Sequence, residues 1–145
     1  MRALLIIAWI AVATAAVAQT TLVEQGRAAL DRNDPQAAIK ILESAIAESP
    51  QSADAHYQLG VAYGMLAQRV SIFRAAALAR HTRDEFERAV KLDPNHLDAR
   101  YALAEYYSQA PSWLGGSKQK FDAQMREIRQ RCLSGCQRFS SLAVR

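Results

Sequence analysis

From residue 22 onward, apolar residues recur three and four positions apart, which is the spacing of one face of an α-helix. Short polar stretches that contain Pro35, Pro50, Pro94 and Pro111 separate these periodic segments. Proline lacks a backbone N–H and restricts the residue before it, so it marks the first turn of a helix or the end of one. The pattern predicts an all-α chain in which helices alternate with tight turns.

The helical segments repeat with a period close to 34 residues, which divides the chain into units at 19–52, 53–96 and 97–131. In each unit, small residues let a paired helix approach closely, and large residues three or four positions away fill the space between the two helices. These alternating large and small residues, with the prolines that end two of the units, are Leu22, Gly26, Ala29, Ala38, Leu42, Ala45 and Pro50, then His56, Leu59, Gly60, Tyr63, Thr82, Phe86, Ala89 and Pro94, then Leu103, Ala104, Tyr107, Phe121, Met125 and Ile128.

The runs Leu59-Gly60-x-x-Tyr63 and Leu103-Ala104-x-x-Tyr107, each at a fixed distance after a proline, resemble tetratricopeptide (TPR) repeats. The resemblance implies a right-handed superhelical stack of about three helical hairpins over residues 19–138, with a degenerate third hairpin and a C-terminal tail at 139–145. Each hairpin buries its apolar face only against a neighbour, so three hairpins are about the minimum for stability.

The second unit has about ten residues more between Tyr63 and Thr82 than the repeat requires. Because this segment is rich in helix formers, both helices are predicted to extend beyond the array. We expect Ile72, Phe73 and Leu78 to cover the edge of the array rather than to form an exposed patch. Arginines are frequent in and after this segment, at Arg69, Arg74, Arg80, Arg83 and Arg88. We expect them to form a solvated face, with some paired to acidic residues, rather than an anion-binding site.

The third unit contains an irregular segment, residues 109–117, in which Gly115 and Gly116 give conformational freedom and Ser117 can cap the next helix. Walker A spacing is absent, so we expect a plain loop. Trp113 is predicted either to fill the hairpin or to contact a ligand. The lengthened hairpin and the Gly-Gly loop together resemble exported bacterial TPR proteins, and this resemblance implies fold and export but no particular activity.

The first 18 residues have the layout of a secretory signal peptide. Arg2 is followed by an apolar run from Ala3 to Ala13, and small residues end at Ala18, so cleavage is expected before Gln19. A retained membrane anchor is the alternative. Export predicts a periplasmic or secreted location, where Cys132 and Cys136 are allowed to form a small-loop disulfide. An intermolecular bridge, and lastly a metal site, are the other interpretations.

The remaining composition argues against several functions. A formal net charge of +4 is too mild to indicate a nucleic-acid-binding face. His56, His81 and His96 fall on different predicted elements, and His56 occupies a packing position. No nucleophile elbow, HExxH run or nucleotide loop occurs in the sequence. We therefore predict no catalytic, cofactor-binding or metal-binding residues and a protein that is not an enzyme.

TPR proteins commonly bind ligands in a concave groove lined by the first helix of each hairpin, and the resemblance implies such a groove here. The residues predicted to line it for a protein or peptide partner are Val23, Arg27, Tyr57, Val61, Met65, Tyr101 and Glu105. The basic and Asn residues of the chaperone-type carboxylate clamp are missing. The alternatives are a self-associating structural subunit and a fragment of a larger secretion or envelope protein. No stable membrane insertion is expected once the signal peptide is removed.

Overall fold

The computed structural model describes residues 22–142, with side chains described as far as Cys132. This part of the chain is helical and contains no strand. The elements are α1 (residues 22–31), α2 (Pro35–Glu48), α3 (Ala53–Ala67), α4 (Ile72–Leu92), α5 (Leu97–Gln109), a 3₁₀ turn (Ser112–Leu114) and α6 (Lys118–Leu142). The all-α prediction is confirmed, whereas the predicted signal peptide at 1–18 lies outside the described residues.

The helices form consecutive hairpins that pack side by side. Contacts join each helix to the next along the chain, from α2 on α3 to α5 on α6. The turns between helices are short, so neighbouring helices run in opposite directions. Helix α6 continues to Leu142, past residue 131, where the third repeat unit was predicted to end.

Side-chain caps fix the starts of the helices. Asp34 accepts a hydrogen bond from the Ala37 N–H at 3.0 Å, and Pro35 follows at the first helical position. Ser52 and His96 cap α3 and α5 in the same way, through bonds from the N–H groups three residues on. These caps satisfy N–H groups that a helix leaves without internal partners, so each turn is defined locally.

Small residues bring paired helices into close contact, as the repeat predicts. A Cβ atom added at Gly26 would lie 2.6 Å from the Leu42 side chain, and one at Gly60 would lie 2.6 Å from the Phe86 ring. Neither distance is possible for a real side chain, so only glycine allows these approaches. Leu42 is fully buried, and Phe86 packs with Leu103 and Tyr107 in the core of the second and third hairpins.

Helix α4 is the longest helix of the first five, with 21 residues against 14 in α2 and 13 in α5. At 1.5 Å per residue it rises about 31 Å, whereas α5 rises about 20 Å. The first turns of α4 therefore extend beyond α5. The prediction that both helices of this hairpin are lengthened is confirmed for α4 and is wrong for α3, which has 15 residues. The prediction that Ile72 and Phe73 cover the array edge is wrong, because they are 76% and 87% exposed at this end, while Leu78 is half-buried.

The Gly60 contact gives a direct test of the packing. In Gly60→Ala, the clash with Phe86 outweighs the better helix propensity of alanine, so we expect a loss of about 1–2 kcal/mol in the free energy of unfolding. Gly64 lies one turn further along α3, and a Cβ there meets only Thr82 at an ordinary 3.7 Å. Gly64→Ala should therefore be neutral or stabilising by up to about 1 kcal/mol.

Urea unfolding of both variants checks this prediction, and Phe86→Leu in the Gly60→Ala background should restore part of the lost stability by making room for the methyl group. Equal stability of the two alanine variants would show that the α3–α4 seam is not as close as described.

Candidate binding cleft

An open cleft of about 370 Å³ lies between α3 and α5, with α4 beneath it. It is lined mainly by apolar and aromatic side chains, with amides and one carboxylate at its rim. The lining residues are Tyr57, Gly60, Val61, Gly64, Met65, Gln68, Thr82, Phe86, Ala102, Glu105, Tyr106 and Gln109. The first helices of the second and third hairpins thus form its walls, and the second helix of the second hairpin forms its floor.

Helical spacing explains why these residues face one another. Tyr57, Val61 and Met65 are four residues apart along α3, so they form one stripe. Ala102, Glu105 and Gln109 form the matching stripe on α5. Gly60 and Gly64 carry no side chain between the stripes, so Thr82 and Phe86 of α4 reach the cleft from below.

Tyr57 is held in place by two ring contacts. Its ring centroid lies 5.9 Å from that of Phe86 and 5.0 Å from that of His96. Burial raises the pKa of the Tyr57 phenol, and the carboxylates of Asp98 and Asp54 raise it further, while Arg27 acts in the opposite direction. The phenol therefore remains protonated and is a neutral hydrogen-bonding group at one end of the cleft.

Tyr106 forms the wall at the other end. Its hydroxyl donates a hydrogen bond to the Leu114 carbonyl at 2.9 Å, which fixes the ring. Burial raises the pKa of Tyr106, so this hydroxyl stays a donor. Tyr106 is not among the groove residues predicted from the sequence. Its position four residues after Ala102 on the same stripe was the signal that could have found it.

Glu105 is the charged side chain in the cleft lining. It is exposed and accepts a hydrogen bond from the Gln109 amide at 2.9 Å. Gln68 lies on the opposite wall. The rim therefore offers a carboxylate and two amides, which together accept and donate hydrogen bonds.

Arg27 does not line this cleft but belongs to a polar cluster beside it. Its guanidinium lies 3.1 Å from one Asp54 oxygen and 3.3 Å from the other, and 3.5 Å from Glu24. His96 Nε2 lies 3.7 Å from Asp54. Asp54 on α3 thus connects α1 with the cap of α5. The charges of Arg27 and Asp54 largely compensate each other, so this cluster positions helices.

Two other predicted groove residues lie elsewhere. Val23 is 7% exposed and packs with Ala45 and Ala55 in the core, so the prediction that it lines the groove is wrong. The reason is that α2 and α3 close over this side of α1. Tyr101 is 47% exposed on α5 but is not part of the cleft lining. Tyr57, Val61, Met65 and Glu105 are the predicted residues that the structure brings together.

The Gly-Gly loop closes the Tyr106 end of the cleft. Leu114, rather than Trp113, fills the hairpin: Leu114 is 8% exposed and Trp113 is 64% exposed. The Leu114 carbonyl also accepts a hydrogen bond from Arg83 at 3.2 Å. Gly115 has φ = +95°, and a Cβ atom on Gly116 would lie 1.6 Å from the Ala110 carbonyl oxygen, so both glycines are required by the path of the backbone.

His56, a buried polar residue outside the cleft, has structural partners. His56 Nδ1 lies 2.6 Å from Glu85, and its Nε2 lies 3.2 Å from the Pro50 carbonyl, so His56 joins α3, α4 and the preceding turn. Within the described residues, no group of three or more metal-binding side chains occurs. Cys132 is exposed and free, and the side chain of Cys136 lies outside the described residues, so the disulfide stays a prediction.

A second depression of about 390 Å³ runs along α6 and is lined by Arg126, Glu127, Arg129 and Gln130. The described residues that line it are four polar or charged side chains of a single helix. The α3–α5 cleft is therefore the better candidate, because its walls come from three helices and combine apolar area with a few polar groups.

A protein-family model described as Tetratricopeptide repeat matches residues 23–81, which correspond to α1, α2, α3 and the first part of α4. No curated protein matches the chain. The match and the stacked hairpins together show a TPR-like helical repeat fold, as the 34-residue spacing predicts. Between residues 22 and 142, no helix is long and apolar enough to cross a membrane.

The loop that closes the cleft can be tested at Gly116. In Gly116→Ala the backbone must move away from Ala110, which removes the bonds from Gly116 N to Pro111 O and from Ser117 N to Tyr107 O. We expect a loss of about 2 kcal/mol or more in the free energy of unfolding. Ser112→Ala, an exposed change in the same loop, should stay within about 0.5 kcal/mol of the parent.

Thermal and denaturant unfolding of both variants provide the measurement. If Gly116→Ala proves as stable as Ser112→Ala, the loop does not follow the path described.

Proposed function

We propose that the chain is an exported TPR-like interaction module whose α3–α5 cleft binds a peptide segment of a protein partner. The observation that carries the proposal is the convergence of Tyr57, Val61, Met65 and Tyr106 on one open surface above Phe86. Half-buried aromatic and aliphatic side chains supply contact area and lose little conformational entropy on binding. TPR-like repeats generally mediate such protein–protein contacts.

The dimensions of the cleft favour a peptide with one or two large apolar side chains. A volume of about 370 Å³ accommodates such groups, and the cleft is open along its length rather than closed like a small-molecule cavity. Gln68 and Gln109 face each other across it and are able to bond the backbone of an extended or helical peptide. Binding of this kind requires no catalytic group.

The negative charge at the rim of the cleft favours peptides that carry a basic residue. Glu105 is exposed, and Asp98 lies on the first turn of the same helix, near enough to Tyr57 to affect its pKa. A lysine or arginine beside the apolar anchor of the peptide would pair with Glu105. An acidic peptide would meet like charge and bind less well.

Export is part of the proposal and rests on the sequence of residues 1–18. Expression of the full chain in a bacterial host with N-terminal sequencing of the product is its test. Cleavage is expected to give Gln19 as the first residue. A product that retains Arg2 and the apolar run would contradict export by a cleaved signal peptide.

The cleft is tested by site-specific photocrosslinking in the full chain. A benzoylphenylalanine at Gln109, on the exposed rim, should capture a defined peptide segment, whereas one at Arg88, exposed on the outer side of α4, should not capture that segment. Mass spectrometry identifies the crosslinked sequence, which is then synthesised.

The dissociation constant of the synthetic peptide, measured for the parent and for variants, tests the cleft directly. The shape-conserving pair Val61→Thr and Met65→Gln replaces apolar surface of the cleft by polar groups, so we expect binding at least about tenfold weaker. Arg88→Gln is the control and should change the affinity less than about twofold. Equal binding by the parent and the Val61/Met65 variant would disprove the cleft as the binding site.

A further inference from the structure

The tip formed by the α3–α4 turn and the first turns of α4, residues 69–80, is the most exposed apolar feature of the described chain. Ile72 and Phe73 are adjacent in sequence and are 76% and 87% exposed. Their exposure follows from the length of α4, which extends beyond α5. Two large side chains at a protruding turn are costly in water and are typical of a contact surface.

The charge of the same region is entirely positive. Between Asp54 and Asp84 the sequence contains no acidic residue but holds the arginines Arg69, Arg74, Arg80 and Arg83. Arg83 is paired with Asp84. Asp84 also lies one helical turn after Arg80, but among the described residues Arg69, Arg74 and Arg80 form no ion pair, which gives the tip its cationic character.

Arg69 is used at the base of the tip, where it donates hydrogen bonds to the carbonyl and side-chain oxygens of Asn33 in the α1–α2 turn. Asp31, Arg32 and Asp34 surround Asn33 in that turn, so the base carries charges of both signs. The cationic excess therefore lies further out, at Arg74 and Arg80, which are both exposed.

Helical geometry places Phe73 and Arg80 on one side of α4. Phe73, Ala77 and Arg80 are separated by four and three residues, share a face of α4 and are all exposed. The opposite face carries Thr82, Phe86 and Ala89, which are buried against the neighbouring helices. Phe73 and Arg80 thus lie on the exposed face of α4, and Ile72 and Arg74, one residue to either side of Phe73, flank that face and are also exposed.

We propose that residues 69–80 dock peripherally on an anionic lipid surface. Phe73 and Ile72 would enter the boundary between headgroups and acyl chains, while Arg74 and Arg80 would bind lipid phosphates. The small contact area of the tip favours lipid over a protein partner. A stable protein interface needs about 800 Å² from each side, whereas the tip offers only two large apolar side chains and two cations. Such docking requires no membrane-spanning segment.

The test is hydrogen–deuterium exchange of the full chain with vesicles, read peptide by peptide. Site resolution is needed because the apolar residues 3–13 are able to bind vesicles by themselves. With vesicles of phosphatidylcholine containing about 30% phosphatidylglycerol, exchange in a peptide covering the tip should slow at least about threefold. Phosphatidylcholine alone should give little or no protection there.

Two double variants separate the apolar contribution to docking from the electrostatic one, and a third double variant is the control. Ile72→Ser with Phe73→Ser changes only exposed side chains, so the fold is retained while protection of the tip is lost. Arg74→Gln with Arg80→Gln should also lose most of the protection, whereas Arg126→Gln with Arg129→Gln, the same charge change at exposed positions of α6, should keep it.

Unchanged exchange at the tip while the chain sediments with the vesicles would overturn the proposal, since binding would then rest on the N-terminal segment. Protection that survives the Ile72/Phe73 change would also overturn it, because contact would be electrostatic only and equally open to an acidic protein. Neither result affects the proposal for the cleft, which is tested without lipid.

Discussion

The close approach of α3 and α4 at Gly60 is the contact on which the rest of the structure depends. Because Gly60 has no Cβ, the Phe86 ring lies directly against the α3 backbone. From there Phe86 packs on Leu103 and Tyr107, which joins the second hairpin to the third, and its ring also forms the floor of the cleft. Stability and the shape of the candidate site therefore depend on the same few atoms, so a change that loosens the seam also alters the cleft.

Arginines connect neighbouring hairpins through their turns. Arg69 binds the turn of the first hairpin through Asn33, and Arg83 binds the loop of the third hairpin through Leu114. Both bond to backbone carbonyl groups, which a guanidinium satisfies well because it has five N–H donors in a fixed plane. The sequence pattern predicts a solvated face with some acidic partners for these arginines. That interpretation holds for the Arg83–Asp84 pair but missed the carbonyl contacts, since backbone geometry leaves no mark on the sequence.

The features that sequence could predict are those set by helical spacing. The cap at Asp34, the glycine seams and the stripe of Tyr57, Val61 and Met65 all follow from residues three or four positions apart. The wrong predictions concern how far neighbouring helices extend alongside one another and which side of each helix they cover. Val23 became a core residue because α2 and α3 cover it, and Phe73 became exposed because α5 ends before the first turns of α4. Neither fact is contained in a periodic pattern within one helix.

Both ends of the cleft are fixed before any ligand arrives. At one end the Arg27–Asp54 pair holds α1 against α3, and the ring of His96, the cap of α5, lies against Tyr57. At the other end Tyr106 and Arg83 both donate hydrogen bonds to the Leu114 carbonyl, in a loop whose backbone path requires glycine at positions 115 and 116. A surface held in this way loses little entropy on binding, because its walls are already ordered. For the peptide proposed above, affinity is then expected to depend mainly on how well it fills the space above Phe86, beside Val61 and Met65.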